Sequence, residues 1–478
     1  MPVFVWKERD KEYRMPFEGT PTVAELLRER GFSVPSPCGG NGRCGKCAVV
    51  LRGQVSPPDE REEQARCRLA CRARLTGDAE GTPLAQDIPF SHIESTEYTL
   101  KKPIAESFAA VDVGTTTVAV KVFAQDGTPV GQAACLNPGR LYGADVMSRI
   151  QAAMEGHGEA LQTSILECIR SLLASAGGQN VKNVTVTGNT AMLYLLTGRS
   201  PKSIAVAPFA AEWLFGETVE LLGKTFYLPP CMHAFVGADL TCAVLASGMT
   251  DRDETALLCD IGTNGEIALW RNDRLYVTSV AAGPAFEGAE ISCGCGYIPG
   301  AVDKVWTASG RIYAHTVENK PAVGLCGSGL LDAVAAFLET GDLDKDGLME
   351  GNFLQIDSIK LTQMDIRQLQ LAKAAIAASI ELLLKQSDTK ESELTKVYLA
   401  GGFGTHLSPV SAAAIGMIPR SFVSKAVPMG NAALQGACML LEGEEYREKA
   451  EKIASSATHV ELGGSEDFNT AFVGHMNF

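Results

Sequence analysis

The sequence predicts a small α+β unit at the N-terminus followed by a larger, two-lobed α/β domain. Three observations carry this expectation. A short loop near residue 40 interleaves three cysteines with four glycines, Asp-x-Gly-Thr turns occur at Asp112 and again at Asp260, and a Gly-Gly turn closes an apolar run at Gly401 and Gly402.

Residues 1–75 make up the first unit. Segments 3–6 and 13–17 read as a hairpin. Thr22 followed by Glu25 has capping-box spacing and opens a helix through Leu26, Leu27 and Arg30 to Gly31. After the cysteine loop, residues 48–51 read as a strand. From Thr76 to Ser107 the chain turns polar, with Pro83, Pro89 and Pro103, which is the composition of a linker. From Phe108 onward, strands, glycine turns and helices alternate. The expected division is residues 1–80, a linker over 81–107, and a domain over 108–478 with lobes of about 108–250 and 251–478.

The second domain carries an internal duplication. Asp112-Val-Gly114-Thr115-Thr116-Thr117 resembles Asp260-Ile-Gly262-Thr263-Asn264-Gly265, and Val184-Thr-Val-Thr-Gly188-Asn189 resembles Val397-Tyr-Leu-Ala-Gly401-Gly402. The second pair of motifs is more widely spaced, so the second half holds an insertion of about 65 residues. Two related lobes, each offering an acidic hairpin and a glycine turn, suit a ligand held in the cleft between them.

Composition narrows the classes. The chain has 478 residues, 46% of them apolar and 21% charged, as in ordinary globular proteins. No run approaches the roughly 18 apolar residues that span a bilayer, and the opening residues, with Lys7, Glu8, Arg9 and Asp10, do not read as a signal peptide. The expected location is the cytoplasm, with no membrane association. There the 14 cysteines are expected as thiols or metal ligands rather than disulfides. Residues 1–84 hold 14 Lys/Arg against 12 Asp/Glu and the remainder 28 against 44, for a net charge of −14. So acidic a body argues against nucleic acid as a partner.

The loop Pro37-Cys38-Gly-Gly-Asn-Gly-Arg-Cys44-Gly-Lys-Cys47 has C-x5-C-x2-C spacing. Its glycines let the backbone wrap closely and aim N–H groups at sulfur, as a [2Fe-2S] cluster requires. Structural zinc more often uses two separated C-x2-4-C units. A fourth thiolate must come from Cys67 or Cys71. Arg66, Arg68, Arg72 and Arg74 surround them and read as a solvated basic face, or alternatively as a docking patch for an acidic surface.

In the second domain Asp112 and Asp260 each end an apolar strand, where a carboxylate can hold Mg²⁺ through water. Gly114, Thr115, Thr116 and Thr117, and likewise Gly262, Thr263 and Asn264, can present N–H and O–H donors to phosphate oxygens. Gly401 and Gly402 leave bare backbone for a flat adenosine. There is no Walker P-loop and no Rossmann fingerprint. ATP with Mg²⁺ is therefore the expected ligand, and Glu266 is the candidate for positioning an attacking water.

The cysteine loop resembles that of [2Fe-2S] ferredoxins with the β-grasp fold, in which the last ligand follows a Leu-Ala pair; here that residue is Cys71. The order of the Asp112, Asp260 and Gly401 motifs resembles the phosphate 1, phosphate 2 and adenosine motifs of the actin/sugar-kinase/Hsp70 (ASKHA, RNase H-like) superfamily. The combination resembles the RACo family, reductive activators of corrinoid-dependent methyltransferase systems. Further strings that resemble it are Tyr142-Gly-Ala-Asp145-Val-Met-Ser-Arg149-Ile, Gly188-Asn-Thr190-Ala-Met192, Ala282-Gly-Pro-Ala-Phe-Glu-Gly288 and Cys326-Gly-Ser-Gly-Leu-Leu-Asp332. The chain departs from the family in length, with a short linker and little room for a separate middle domain.

The resemblance implies that one electron passes from an upstream low-potential donor to the cluster and on to a Co(II) corrinoid protein, giving Co(I). Clusters of this type sit near −400 mV, and a gap of a few hundred millivolts to Co(I) would be met by ATP-driven closure of the cleft. A homodimer is one assembly this reading leaves open. Two other readings compete: a metabolite kinase with a regulatory cluster, and a nucleotide-gated electron carrier for another low-potential enzyme.

Weaker features get plainer readings. Residues 342–347 mimic an EF-hand start but lack the twelfth-position Glu, so a solvated turn is expected. Cys293 and Cys295 read as inert loop thiols, Cys259 as a buried strand residue, and His233 and His406 as structural. Thr362 with Asp365 caps a core helix running to about Lys385.

Overall fold

The computed structural model describes residues 1–8, 11–32, 34, 47–65, 68–83, 98–100, 107–288, 290–401 and 407–478. Two compact units result, Met1–Pro89 with Pro138–Ser164, and Phe90–Asn137 with Ile165–Phe478.

In the first unit, β1 (Val3–Glu8) and β2 (Lys11–Pro16) form the expected hairpin, with Trp6 opposite Tyr13. Helix α1 (Val23–Glu29) starts at the Thr22–Glu25 capping box, in which both reciprocal bonds are made, and buries Val23, Leu26 and Leu27. Strand β3 (Ala48–Val55), the short helix α2 (Glu60–Ala65), β4 (Arg68–Leu69) and β5 (Leu75–Pro83) complete a five-stranded sheet of order β2-β1-β5-β3-β4. Residues 76–83 therefore correct the sequence reading. They are the middle strand of the sheet, not the start of the linker, pairing parallel to β1 and antiparallel to β3. Their two glycines and alternating polar residues hid the strand, because its support comes from neighbours on both sides and not from its own apolar content. Helix α3 (Val146–Ala152) also belongs to this unit and is capped by Asp145.

The second unit holds the duplication as two six-stranded sheets. The first, of order β10-β11-β9-β6-β7-β8, is built from β6 (Phe108–Val113), β7 (Thr117–Phe123), β8 (Pro129–Leu136), β9 (Asn183–Gly188), β10 (Glu217–Leu221) and β11 (Lys224–Leu228). Its helices are α4 (Gly158–Ser175), α5 (Thr190–Thr197), α6 (Lys202–Ala205) and α7 (Ala238–Ser247). The second sheet, of order β21-β20-β12-β13-β14-β22, uses β12 (Ala256–Ile261), β13 (Asn264–Arg271) and β14 (Arg274–Ala281), then β20 (Lys396–Ala400), β21 (Ala426–Gly430) and β22 (Ala457–His459). In both sheets an antiparallel meander is followed by a parallel strand beside its first member, β9 beside β6 and β20 beside β12.

Between β14 and β20 lies the inserted material. It comprises β15 (Ala301–Ala308), β16 (Arg311–Thr316), β17 (Gly324–Leu325), α8 (Gly327–Thr340), the hairpin β18 (Phe353–Ile356) and β19 (Ile359–Thr362), and α9 (Gln363–Gln386) with its Thr362–Asp365 capping box. Helices α10 (Pro409–Ala414) and α11 (Ala432–Met439) follow. The helices of the two halves interlock. Helix α11 packs on β6, β7 and β9 of the first sheet, while α7 lies against β9 of the first sheet and β12 and β13 of the second. They cross so closely that a β-carbon on Gly436 would stand 2.0 Å from the Cys242 carbonyl oxygen. Among the described residues no helix is long and apolar enough to cross a membrane.

Candidate functional site: a nucleotide cleft and a cysteine pair

Every nucleotide-site residue named from the sequence except Gly402, which lies outside the described residues, lines one cleft of about 230 Å³. Asp112 stands one residue before the end of β6 and Asp260 one before the end of β12. The two turns meet tip to tip, with Thr116 Oγ1 and Thr263 Oγ1 2.8 Å apart. Glu266 faces Asp260 across the β12–β13 ladder. The glycines that end the two parallel strands serve the same purpose in each half. A β-carbon on Gly188 would meet the Val113 carbonyl at 2.7 Å, and one on Gly401 the Ile261 carbonyl at 2.2 Å, where φ is +118°. Only glycine lets these strands press against the acidic hairpins.

Several side chains that sequence reasoning left without a role complete the walls. Asn431 caps α11 and donates from Nδ2 to Asp112 Oδ2 at 2.8 Å. Asn189 caps α5 and donates to Thr115 Oγ1 at 3.0 Å. Asn137 Nδ2 holds the Gly114 carbonyl at 2.7 Å. Thr263 donates to Glu287 Oε1 at 3.0 Å, leaving the buried Glu287 Oε2 without a protein partner. Asp239 enters from the first turn of α7. Asn189 and Glu287 stand inside strings already noted in the sequence; Asp239 and Asn431 had only a preceding glycine and a helix start to mark them.

The electrostatics set positive helix ends against acidic side chains. The N-terminal ends of α5, α7, α8 and α11 reach the cleft, through Asn189, Asp239, Ser328 and Asn431, and such ends carry positive partial charge and free N–H groups. Against them stand five carboxyls, Glu266 buried and Asp112, Asp239, Asp260 and Glu287 half-buried in the cleft wall. Burial pushes Asp112 up to about 6, with the Asn431 bond opposing the shift. Asp239 and Glu287 are pushed up to about 7, also mainly by burial. Asp260 is pushed up to about 8 by burial and then by Asp239 and Asp112, and Glu266 is raised well above its ordinary range for the same reasons. A divalent cation would favour the ionised forms of all five. Among the described residues no three His, Cys, Asp or Glu side chains form a direct metal cage.

In the first unit Cys47 leads into β3 and Cys71 lies in the turn after β4, with their sulfurs 3.3 Å apart. Two thiols at this spacing can bind one and the same metal atom. Cys38, Cys44 and Cys67 lie outside the described residues. The turn is held from beneath by Glu62, whose buried carboxylate accepts from the Leu69 N–H at 2.8 Å, Arg68 Nε at 3.0 Å and the Asp59 N–H at 3.2 Å. Arg72 pairs with Asp59 at 2.6 Å and Arg74 donates to the Thr20 carbonyl at 3.0 Å. Three of the four arginines thus find partners within the unit, while Arg72 and Arg74 stay exposed as a solvated face would have them; Arg66 lies outside the described residues.

The weaker features resolve as follows. Cys295 and Cys326 belong to the cleft wall, and Cys259 is fully buried. His233 stacks on His459 with ring centres 3.8 Å apart, and His406 lies outside the described residues. In the 342–347 turn, Asp344 accepts from the Leu348 N–H and Asp346 from Asn477.

Comparison with known proteins agrees with this architecture. Residues 7–76 match a 2Fe-2S iron-sulfur cluster binding domain, residues 108–252 the RACo middle region, and residues 254–358 and 350–478 the C-terminal domain of RACo, the ASKHA domain. The middle region, which looked short from the sequence, is thus the first lobe. The corrinoid activation enzyme RamQ of Eubacterium limosum is 30% identical over 417 residues, covering 77% of this chain and 70% of the relative. A [Co(II) methylated amine-specific corrinoid protein] reductase of Methanosarcina barkeri is 26% identical over 384 residues, 71% of each. A solved reductive activator for corrinoid,iron-sulfur protein has a TM-score of 0.74 at 24% identity, covering 100% of this chain and 98% of that one, which speaks for the fold. With a 2Fe-2S domain ahead of a duplicated ASKHA domain and these relatives along most of its length, the chain belongs to the RACo family.

Proposed function

We propose that this protein is an ATP-dependent reductive activator that hands one electron to a Co(II) corrinoid protein and so regenerates Co(I) for methyl transfer. The observation that carries the reading is the tip-to-tip meeting of two acidic hairpins in a protein that also holds a converging cysteine pair. The names of its relatives supply the corrinoid protein as electron acceptor.

Cys38, Cys44, Cys47 and Cys71 would hold the [2Fe-2S] cluster, which supplies a one-electron couple when bound. Asp112 and Asp260 would hold Mg²⁺ through water. Thr115, Thr116, Thr117 and Thr263 present hydroxyl and N–H donors to the phosphates, and Gly401 and Gly402 border the adenosine. Glu266 would orient the attacking water once the cation has drawn off its proton. Glu287 Oε2, without a partner among the described residues, and the neighbouring carboxylates that push Asp260 and Glu266 up support a cation here. The reading includes an upstream low-potential donor, a reducing cytoplasmic setting, and a homodimer as one assembly to test.

The test mixes reduced protein, MgATP and a Co(II) corrinoid protein under nitrogen and follows the Co(I) absorption band. Asp112→Ala is expected to keep cluster absorption and lose the ATP-dependent rise; unchanged Co(I) formation sinks the reading. For the cluster, Cys71→Ser is expected to lose the normal visible spectrum while Cys67→Ser keeps it, and the reverse pattern would reassign the fourth ligand.

A further inference from the structure

Two cysteines outside both sites lie unusually close together. Cys135 is on β8, the edge strand of the first sheet, and Cys168 is on α4. Their sulfurs are 2.8 Å apart and both residues are half-buried. The two sulfurs would have to close by about 0.8 Å to reach the disulfide bond length of about 2.05 Å. Nothing in the proposed electron or nucleotide chemistry uses either residue.

We propose that Cys135 and Cys168 are an oxidative modification site, converted to an intramolecular disulfide by exchange with a low-molecular-weight disulfide. The Cys135 thiolate attacks one sulfur of the small disulfide and expels one thiolate. The Cys168 sulfur then attacks Cys135 Sγ in the mixed disulfide, releasing the second thiolate. Two protein thiols are oxidised, one small disulfide is reduced to two thiols, and the two protein protons go to the departing thiolates. Either thiolate can make the first attack by the same two steps; the bond between the two sulfurs and burial keep the Cys168 thiol protonated, so the exchange is slow.

The position gives the bond a consequence. Cys135 lies two residues before Asn137, whose side chain holds the Gly114 carbonyl of the first phosphate turn. Leu136, between them, lines the cleft. A covalent tie from β8 to α4 restricts the strand on which that turn depends. Oxidation is expected to stiffen the first lobe and slow ATP turnover.

The experiment treats the full-length, cluster-loaded protein with oxidised glutathione under nitrogen, blocks free thiols, and maps cysteine peptides by mass spectrometry. A Cys135–Cys168 cross-linked peptide two mass units below the reduced pair is expected. The thermal midpoint should rise by several degrees, ATP turnover should fall severalfold, and dithiothreitol should reverse both. Cys168→Ser should show none of these changes. Separate glutathione adducts on the two residues, or unlinked peptides while other thiols oxidise, would overturn the site, and the wild-type comparison decides this even if the variant folds poorly. A cross-link that leaves ATP turnover unchanged would overturn the consequence for the nucleotide turn.

Discussion

The two lobes of the second unit share a skeleton and differ in how they treat its central acid. In the first, Asp112 receives a hydrogen bond from Asn431, which partly offsets the effect of burial and leaves it at about 6. In the second, burial and two neighbouring carboxylates all push Asp260 the same way, to about 8. Asp260 is thus pushed further up than Asp112. Duplication supplied two equivalent positions, and residues outside the repeated motif gave them different electrostatic surroundings.

The largest test of the shared skeleton is Gly401→Ala. With φ at +118° and a carbonyl where the β-carbon would go, it should cost on the order of 3–4 kcal/mol. Gly188→Ala, with the longer 2.7 Å approach, should cost about half as much. Equal denaturation midpoints for the two variants would break the equivalence. Asp112→Asn and Asp260→Asn should each slow ATP turnover on the order of 100-fold, about 2.7 kcal/mol. At about pH 8, however, Asp260→Asn should stabilise the ligand-free protein by about 1–2 kcal/mol, and Asp112→Asn by less. Equal gains would mean that the two acids are not differently tuned.

A pH series sharpens the same contrast. Asp112, Asp239, Glu287 and Asp260 are all raised in the folded protein, to about 6, 7, 7 and 8. The folded state therefore binds protons that the unfolded chain has released. Their contribution to stability is fully present below the ordinary carboxylate range of about 4 and is lost as pH rises through about 8. The thermal midpoint of ligand-free protein should fall across that window, and MgATP should flatten the slope by favouring the ionised forms. A slope that is the same with and without MgATP would place the cation elsewhere. The smallest effect belongs to Asn431→Ala, which loses both the α11 cap and the donor to Asp112, for about 1 kcal/mol. It should also steepen the fall within that window, since Asp112 then lacks the bond that opposes its upward shift.

Much of this was legible where chemistry is local. The C-x5-C-x2-C loop, the Thr22–Glu25 and Thr362–Asp365 caps and the Asp-x-Gly-Thr turns declare themselves because neighbours in sequence do the work together. What escaped was assembled from afar. Asp239 and Asn431 reach the cleft because α7 lies against both sheets and α11 packs on the first, and no short window of sequence contains that interlocking. Glu62 gained its place only when Leu69 and Arg68 folded onto it. Residues 76–83 read as a linker because a strand flanked on both sides need not be apolar itself. Arg72 and Arg74 are exposed, as the sequence suggested, but their partners within the unit, Asp59 and the Thr20 carbonyl, could not be read from it.

The crossing of α7 and α11 at Gly436 acts as a fulcrum. At about 1.5 Å per residue, Asp239 lies roughly 5 Å from that point and Asn431 roughly 8 Å. A scissoring of about 10° therefore carries either side chain only about 1 Å, while the sheet edges, on much longer arms, swing proportionally further. Such a crossing would work as a reducing gear: a wide swing of the two lobes about it would move Asp239 and Asn431 only on the scale of a hydrogen bond.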